Sequence, residues 1–147
     1  GLARGLELSG EARPWRSMLL QSSYTYTNAD ETTSILTDGG VRAIRVFPHA
    51  VTFVATQQLT KRTQITADFF GANEMISGAF FVGAGTRPYR FDGPRKLDLS
   101  ASYTKPVSEK VDLRFFVRAE NVLNRTYYED GFRTPKAWAT AGMKLLF

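Results

Sequence analysis

The sequence predicts an all-β fold: an antiparallel, up-and-down transmembrane β-barrel, present in part as about seven strands of a larger barrel. Three observations predict it. Apolar and polar residues alternate in one segment after another, and a strand sends successive side chains to opposite faces. Short turns and long polar connections take turns along the chain. The chain closes on an alternating strand that ends in Phe147. Alternation alone also suits a soluble sandwich, which buries the apolar face; a membrane barrel turns that face to lipid and its charges to a wet lumen. The closing strand tips the reading toward the barrel.

The elements follow in order. Over 5–12, Leu6, Leu8 and Ala12 share a face opposite Glu7, Ser9 and Glu11. Arg13-Pro14-Trp15-Arg16 breaks this strand, because proline lacks a donor and fixes φ. The second strand, 17–27, sets Met18, Leu20, Tyr24 and Tyr26 against Gln21, Ser23, Thr25 and Thr27. Its tyrosines lie where an interfacial aromatic girdle would fall. Residues 28–44 read as a long loop with a turn at Asp38-Gly39-Gly40. The third strand spans 45–59 and opens around Pro48, a position that need not donate. After the Thr60-Lys61-Arg62 turn, the fourth spans 63–75. Residues 76–95 read as a second long connection, whose second half is a basic loop with Arg87, Arg90, Arg95 and Lys96 against Asp92.

The alternation is cleanest over 96–105, where Leu97, Leu99, Ala101 and Tyr103 oppose Lys96, Asp98, Ser100, Ser102 and Thr104. A short turn holding Pro106 leads into 111–121. There Val111, Leu113, Phe115, Val117 and Ala119 oppose Asp112, Arg114, Phe116, Arg118 and Glu120. A long loop over 122–135 precedes the last strand, 136–147. These lengths match the ~9–11 residues that cross an outer membrane at a tilt.

Composition narrows the function classes. The chain has 147 residues, no cysteine and one histidine, His49. Disulfides and thiolate metal sites are therefore excluded, and His49 reads as a hydrogen-bonded or interfacial imidazole, not a metal ligand. No Ser/His/Asp or Cys/His set points to an enzyme. The formal charge of +5 is spread along the chain, which argues against a nucleic-acid surface. Gly83-Ala84-Gly85 lacks the Gly-Lys-Ser/Thr continuation of a phosphate loop, and no cofactor is called for. No apolar run reaches the ~18 residues of a spanning helix. The chain starts at Gly1 without a signal-peptide pattern, so it reads as a piece of something longer or a processed product.

Ala119-Glu120-Asn121-Val122-Leu123-Asn124-Arg125-Thr126-Tyr127-Tyr128 resembles the x-N-L-x-N/D-x-x-Y segment of TonB-dependent outer-membrane receptors. Gly131-Phe132-Arg133-Thr134-Pro135, the Pro48-His49 pair and the last strand with its terminal Phe147 resemble the same family. Where that family usually ends the turn Pro-Gly-Arg, this chain has Thr134-Pro135-Lys136 and keeps one cation. The motif residues carried over are Asn121, Leu123, Asn124, Tyr127 and Gly131.

The resemblance implies roughly the last third of a barrel of about 22 strands, its plug domain lying outside these residues. It implies active uptake of a scarce nutrient, such as a ferric siderophore or cobalamin, driven by the TonB energy-coupling complex. The implied partners are outer-membrane lipid and lipopolysaccharide, the plug and remaining strands, and the barrel-assembly machinery that would read Phe147. The loops 28–44, 76–95 and 122–135 are then expected outside the cell. Arg87, Tyr89, Arg90, Tyr127, Tyr128 and Arg133 are the candidate ligand contacts. The alternatives are a passive porin, which would lack the Asn-Val-Leu-Asn and Tyr-Tyr segment, and a soluble ligand-binding barrel, which would extract into buffer without detergent.

Overall fold

The computed structural model describes residues 1–30, 45–129 and 132–147, apart from the side chain of Thr86. The described residues form eleven strands: β1 (Leu2–Ala12), β2 (Met18–Asp30), β3 (His49–Thr60), β4 (Thr63–Ala72), β5 (Met75–Phe81), β6 (Gly85–Phe91), β7 (Arg95–Ser108), β8 (Val111–Glu120), β9 (Tyr128–Glu129), β10 (Phe132–Arg133) and β11 (Trp138–Leu146). Seven make one open antiparallel sheet in the order β1-β2-β3-β4-β7-β8-β11. These are the seven strands read from the sequence, each paired with its neighbour in that reading, as an up-and-down barrel wall requires.

The register makes the sheet two-faced. One row across it joins Leu8, Tyr24, Val51, Gly71 and Arg95. Another joins Ile65, Ala101, Val117 and Ala141. Asp68 pairs with Asp98, and Ser100 with Arg118, on the opposite face. The apolar face stays uncovered: Leu8, Phe53, Leu99, Val117 and Leu145 are all exposed. A monomeric soluble domain rarely leaves so large an apolar surface bare. The buried apolar side chains among the described residues are Met75, Phe91 and Tyr127, all at the end where the long connections lie.

Several segments differ from the sequence reading. The third strand begins at His49, not at 45, and Arg45 has a left-handed φ of 61°. The fourth ends at Ala72, with Asn73 still donating its N–H to the His49 carbonyl at 3.1 Å. Residues 76–95 are not a plain connection: β5 and β6 pair with each other as a separate hairpin. Gly83 (φ 80°) and Gly85 (φ 69°) form its turn, which is the structural use of the glycine pair. The short turn read over 105–110 narrows to 109–110, because Pro106 lies within β7, whose register shifts between Pro106 and Ser108, a bulge that tolerates the missing donor. Within 122–135, β9 and β10 pair briefly. β2 extends to Asp30, while the Asp38-Gly39-Gly40 turn and Gly131 lie outside the described residues.

The β6–β7 connection passes tightly over the end of β4. A Cβ on Gly93 would press on the carbonyl oxygens of Ala72 and Asn73, which are backbone and cannot rotate away. At Gly83 the space is open and only φ resists a side chain. Gly93→Ala should therefore destabilise the barrel by about 1–3 kcal/mol. Gly83→Ala should cost only about 1–2 kcal/mol. Urea-dependent folding of the full-length protein measures both, and Gly93→Ala should have the lower midpoint.

Candidate functional site

The loop end of the polar face carries a network of four charges. Asp98 on β7 is buried to 7% exposure and uses its two oxygens differently. Oδ2 receives Lys96 Nζ and Arg118 Nη2, each at 3.0 Å. Oδ1 accepts the backbone N–H of Asn121 at 2.9 Å. Glu120 completes the set, with Arg118 Nε at 3.3 Å and Lys96 Nζ at 3.6 Å. Lys96, Asp98, Arg118 and Glu120 all point to one face because each sits at an even position in registered strands.

Asn121 anchors the loop after β8. It is 1% exposed and has a φ of 51°, a conformation asparagine tolerates better than most residues. Its Nδ2 donates to the carbonyls of Arg125 (2.8 Å) and Pro135 (3.2 Å), and its Oδ1 accepts from Arg125 N–H at 3.2 Å. Asn124, at φ 52°, donates its N–H to the Asn121 carbonyl at 2.7 Å and accepts the Ala137 N–H at 3.3 Å. The Asn-Val-Leu-Asn segment is thus a backbone device that joins β8 to β11. Its asparagines shape the chain through their own amides. Leu123 stays exposed.

This anchor holds Tyr127 and Tyr128 over the charge network. The Tyr127 carbonyl accepts from Thr134 N–H at 3.1 Å and from Thr134 Oγ1 at 2.9 Å. A cleft of about 440 Å³ results, with Phe47, Phe70, Met75, Tyr127 and Tyr128 as its apolar wall. Its charged groups are Arg45, Lys96 and Arg118 against Asp68, Asp98 and Glu129. Three cations face three carboxylates, so the cleft does not select an anion by net charge. It suits a ligand that offers both aromatic surface and hydrogen-bonding groups.

A second cleft, of about 770 Å³, lies beside the β5–β6 hairpin and includes Phe81, Tyr89, Arg90, Phe91, Tyr128 and Phe132. Phe91 stands between Tyr89 and Tyr128, with ring centroids at 4.9 and 5.3 Å. Tyr128 lines both clefts.

The expected contact residues therefore divide. Tyr89, Arg90 and Tyr128 come together at the second cleft, and Tyr127 sits in the first. Arg87 and Arg133 line neither. The basic loop also divides. Arg90 pairs with Glu74 at 2.7 Å, Lys96 belongs to the charge network, and Arg95 lies on the apolar face in register with Gly71. Sequence reading placed Asp98 and Arg118 on the polar face but not in one ion network, and it missed Phe47, Phe70 and Phe91. Even-position phase on β4, β7 and β8 was the available signal; the register that unites the strands was not.

The siderophore receptor PiuA from Acinetobacter baumannii superposes on 98% of this chain with a TM-score of 0.62 and 18% sequence identity. The likeness is one of fold. The chain spans 21% of that receptor's length, so it corresponds to a part of such a barrel. No protein-family model matches the sequence, and no curated protein matches it.

Replacing Asn121 removes the amide that fastens the loop and puts a less tolerant residue at positive φ. Asn121→Ala should destabilise the barrel by about 2–4 kcal/mol. Asn121→Gly, which relieves φ but restores no hydrogen bond, should recover only about 1 kcal/mol of this. Asp98→Ala, which leaves Lys96 and Arg118 with Glu120 alone and takes the acceptor from the Asn121 N–H, should fall in the same range. The order of urea midpoints, wild type above Gly above Ala at position 121, checks the assignment.

Proposed function

We propose that this chain is the C-terminal part of the barrel of a TonB-dependent outer-membrane receptor that takes up a scarce nutrient, a ferric siderophore or a compound handled in the same way. The observation that carries the reading is the apolar face. On β7 it runs from Arg95 to Lys105, the charged residues at its two edges. Ten residue steps at ~3.3 Å and a tilt of ~40° give a band ~25 Å tall, the height of a barrel's lipid-facing belt. Tyr24 and Tyr26 stand at one edge and Tyr103 at the other, as aromatic girdles do. The fold likeness to a siderophore receptor supports the same reading.

Under this proposal the polar face lines the lumen and meets the plug, the rest of the barrel joins the free edges of β1 and β11, and the long connections face outward. Ligand contact falls to the two clefts around Tyr127 and Tyr128. Coupling to the TonB complex resides in the plug. Recognition of Phe147 by the barrel-assembly machinery is also proposed, on the resemblance. Phe147 lies beyond β11 and is 98% exposed, so burial within these residues gives it no other role.

Two measurements test the proposal. The register sets Leu113 opposite Lys105 at the band edge and Val117 opposite Ala101 near its middle, so Val117 is the sharper probe. Val117→Arg should cost ~2–4 kcal/mol of barrel stability, and Phe116→Arg on the other face much less. Spin labels should report lipid at Val117 and water at Phe116; the reverse would overturn the orientation. In uptake assays with the full-length protein, Tyr128→Ala should weaken ligand binding while Arg87→Ala leaves it unchanged. Unaltered binding in Tyr128→Ala would remove the clefts from the ligand's path.

A further inference from the structure

The two clefts that share Tyr128 hold their cations and carboxylates differently. In the first, Lys96 and Arg118 are each bound to both Asp98 and Glu120. In the second, Arg90 is bound to Glu74 at 2.7 Å. Glu120 and Glu74 line neither cavity, so these cations are neutralised partly by groups outside the walls. With the balanced groups set aside, the walls hold Arg45 and three carboxylates: Asp68, Asp92 and Glu129. Asp92 and Glu129 are exposed, and no cation engages either one among the described residues. The described walls therefore carry an excess of negative charge.

The aromatic groups act in the same direction. Phe91 stands between Tyr89 and Tyr128, and the face of an aromatic ring is electron-rich and attracts cations. An anionic ligand could reach Lys96, Arg118 or Arg90 only by displacing a carboxylate. Displacing Asp98 would also release the Asn121 N–H that fastens the loop. Breaking a buried pair leaves an uncompensated charge, and like charges brought together reject a wrong partner.

Ferric complexes differ in charge by ligand class. Each hydroxamate loses a single proton, so the trishydroxamate complex of ferric iron is uncharged. Each catecholate loses both protons, so the tricatecholate complex is a trianion. We infer that the clefts select by charge: they take a ferric complex without net negative charge, of the trishydroxamate class, and Asp92 and Glu129 set this preference. The inference rests on the receptor reading and narrows its substrate class.

The test is calorimetric titration of the full-length receptor in detergent with a linear ferric trishydroxamate whose terminal amine is free, acetylated or succinylated. The scaffold stays fixed while its net charge passes from positive through zero to negative. The free-amine complex should bind at least as tightly as the acetylated one, and the succinylated complex about tenfold more weakly. Glu129→Lys and Asp92→Lys should each close most of that gap, and Glu129→Gln should fall between wild type and Glu129→Lys. Rising salt should strengthen binding of the succinylated complex to wild type, because screening weakens repulsion, an arm that needs no variant to fold. Equal or tighter binding of the succinylated complex, a fall in its affinity with salt, or an unchanged gap in both lysine variants would each overturn the inference. Binding of none of these complexes while a Val117 label reports lipid would sink the trishydroxamate assignment and leave the receptor reading standing. Water exposure at Val117 would sink both.

Discussion

Everything in this chain depends on register. Side chains alternate along a strand, so a slip of one residue in any of the six strand pairings would invert one strand's faces against its neighbour's. Held in register, the strands gather Leu8, Phe53, Leu99, Val117 and Leu145 on one side. They gather Asp68, Asp98, Arg114 and Arg118 on the other. The sheet has no layer packed on its apolar face, so it cannot gain stability there as a sandwich does. That uncovered apolar face is the observation on which the proposed membrane setting rests.

The loop end shows how a few polar groups organise an irregular region. Asp98 belongs to a regular strand, yet one of its oxygens holds the first backbone N–H past β8. Asn121 then closes the bend with its own amide, reaching both Arg125 and Pro135. The other Asp98 oxygen binds two cations, so the ion network and the loop share one carboxylate. The aromatic residues above it are held by this junction and by a small apolar cluster: Tyr127 is buried, as are Met75 and Phe91, and Tyr128 packs on Phe91. A group that disturbed Lys96 or Arg118 would therefore act directly on the support of the loop, giving the cleft a physical route to the loop end of the sheet.

The charge distribution assigns different tasks to cations that look alike in the chain. Lys96 and Arg118 are committed to carboxylates in the polar cleft. Arg90 is bound to Glu74. Arg95, one residue before Lys96, points to the opposite face because adjacent strand residues must. Aromatic groups are sorted in the same way: Phe69 stands on the apolar side, while Phe70 lines the cleft on the other.

The sequence by itself determined the strands of the main sheet, their two faces and the positions of the short turns. Those features are local: alternation, proline and turn chemistry act within a few residues. Its reading of 76–95 as a connection failed because Ile76–Gly85 is apolar and glycine-rich without alternation, and a hairpin that pairs only with itself leaves little period to detect. It started the last short turn too early, at 105, because a bulge let the strand continue through Pro106 to Ser108. The Asn-Val-Leu-Asn segment was visible as a pattern, but its role was not, since the acceptors of Asn121 lie 4 and 14 residues away and its N–H finds Asp98 on another strand. Only the tertiary structure decided which cations meet which carboxylates and which aromatics line a cleft. Those pairings join residues far apart in the chain, and strand register, not local sequence, brings them within hydrogen-bonding distance.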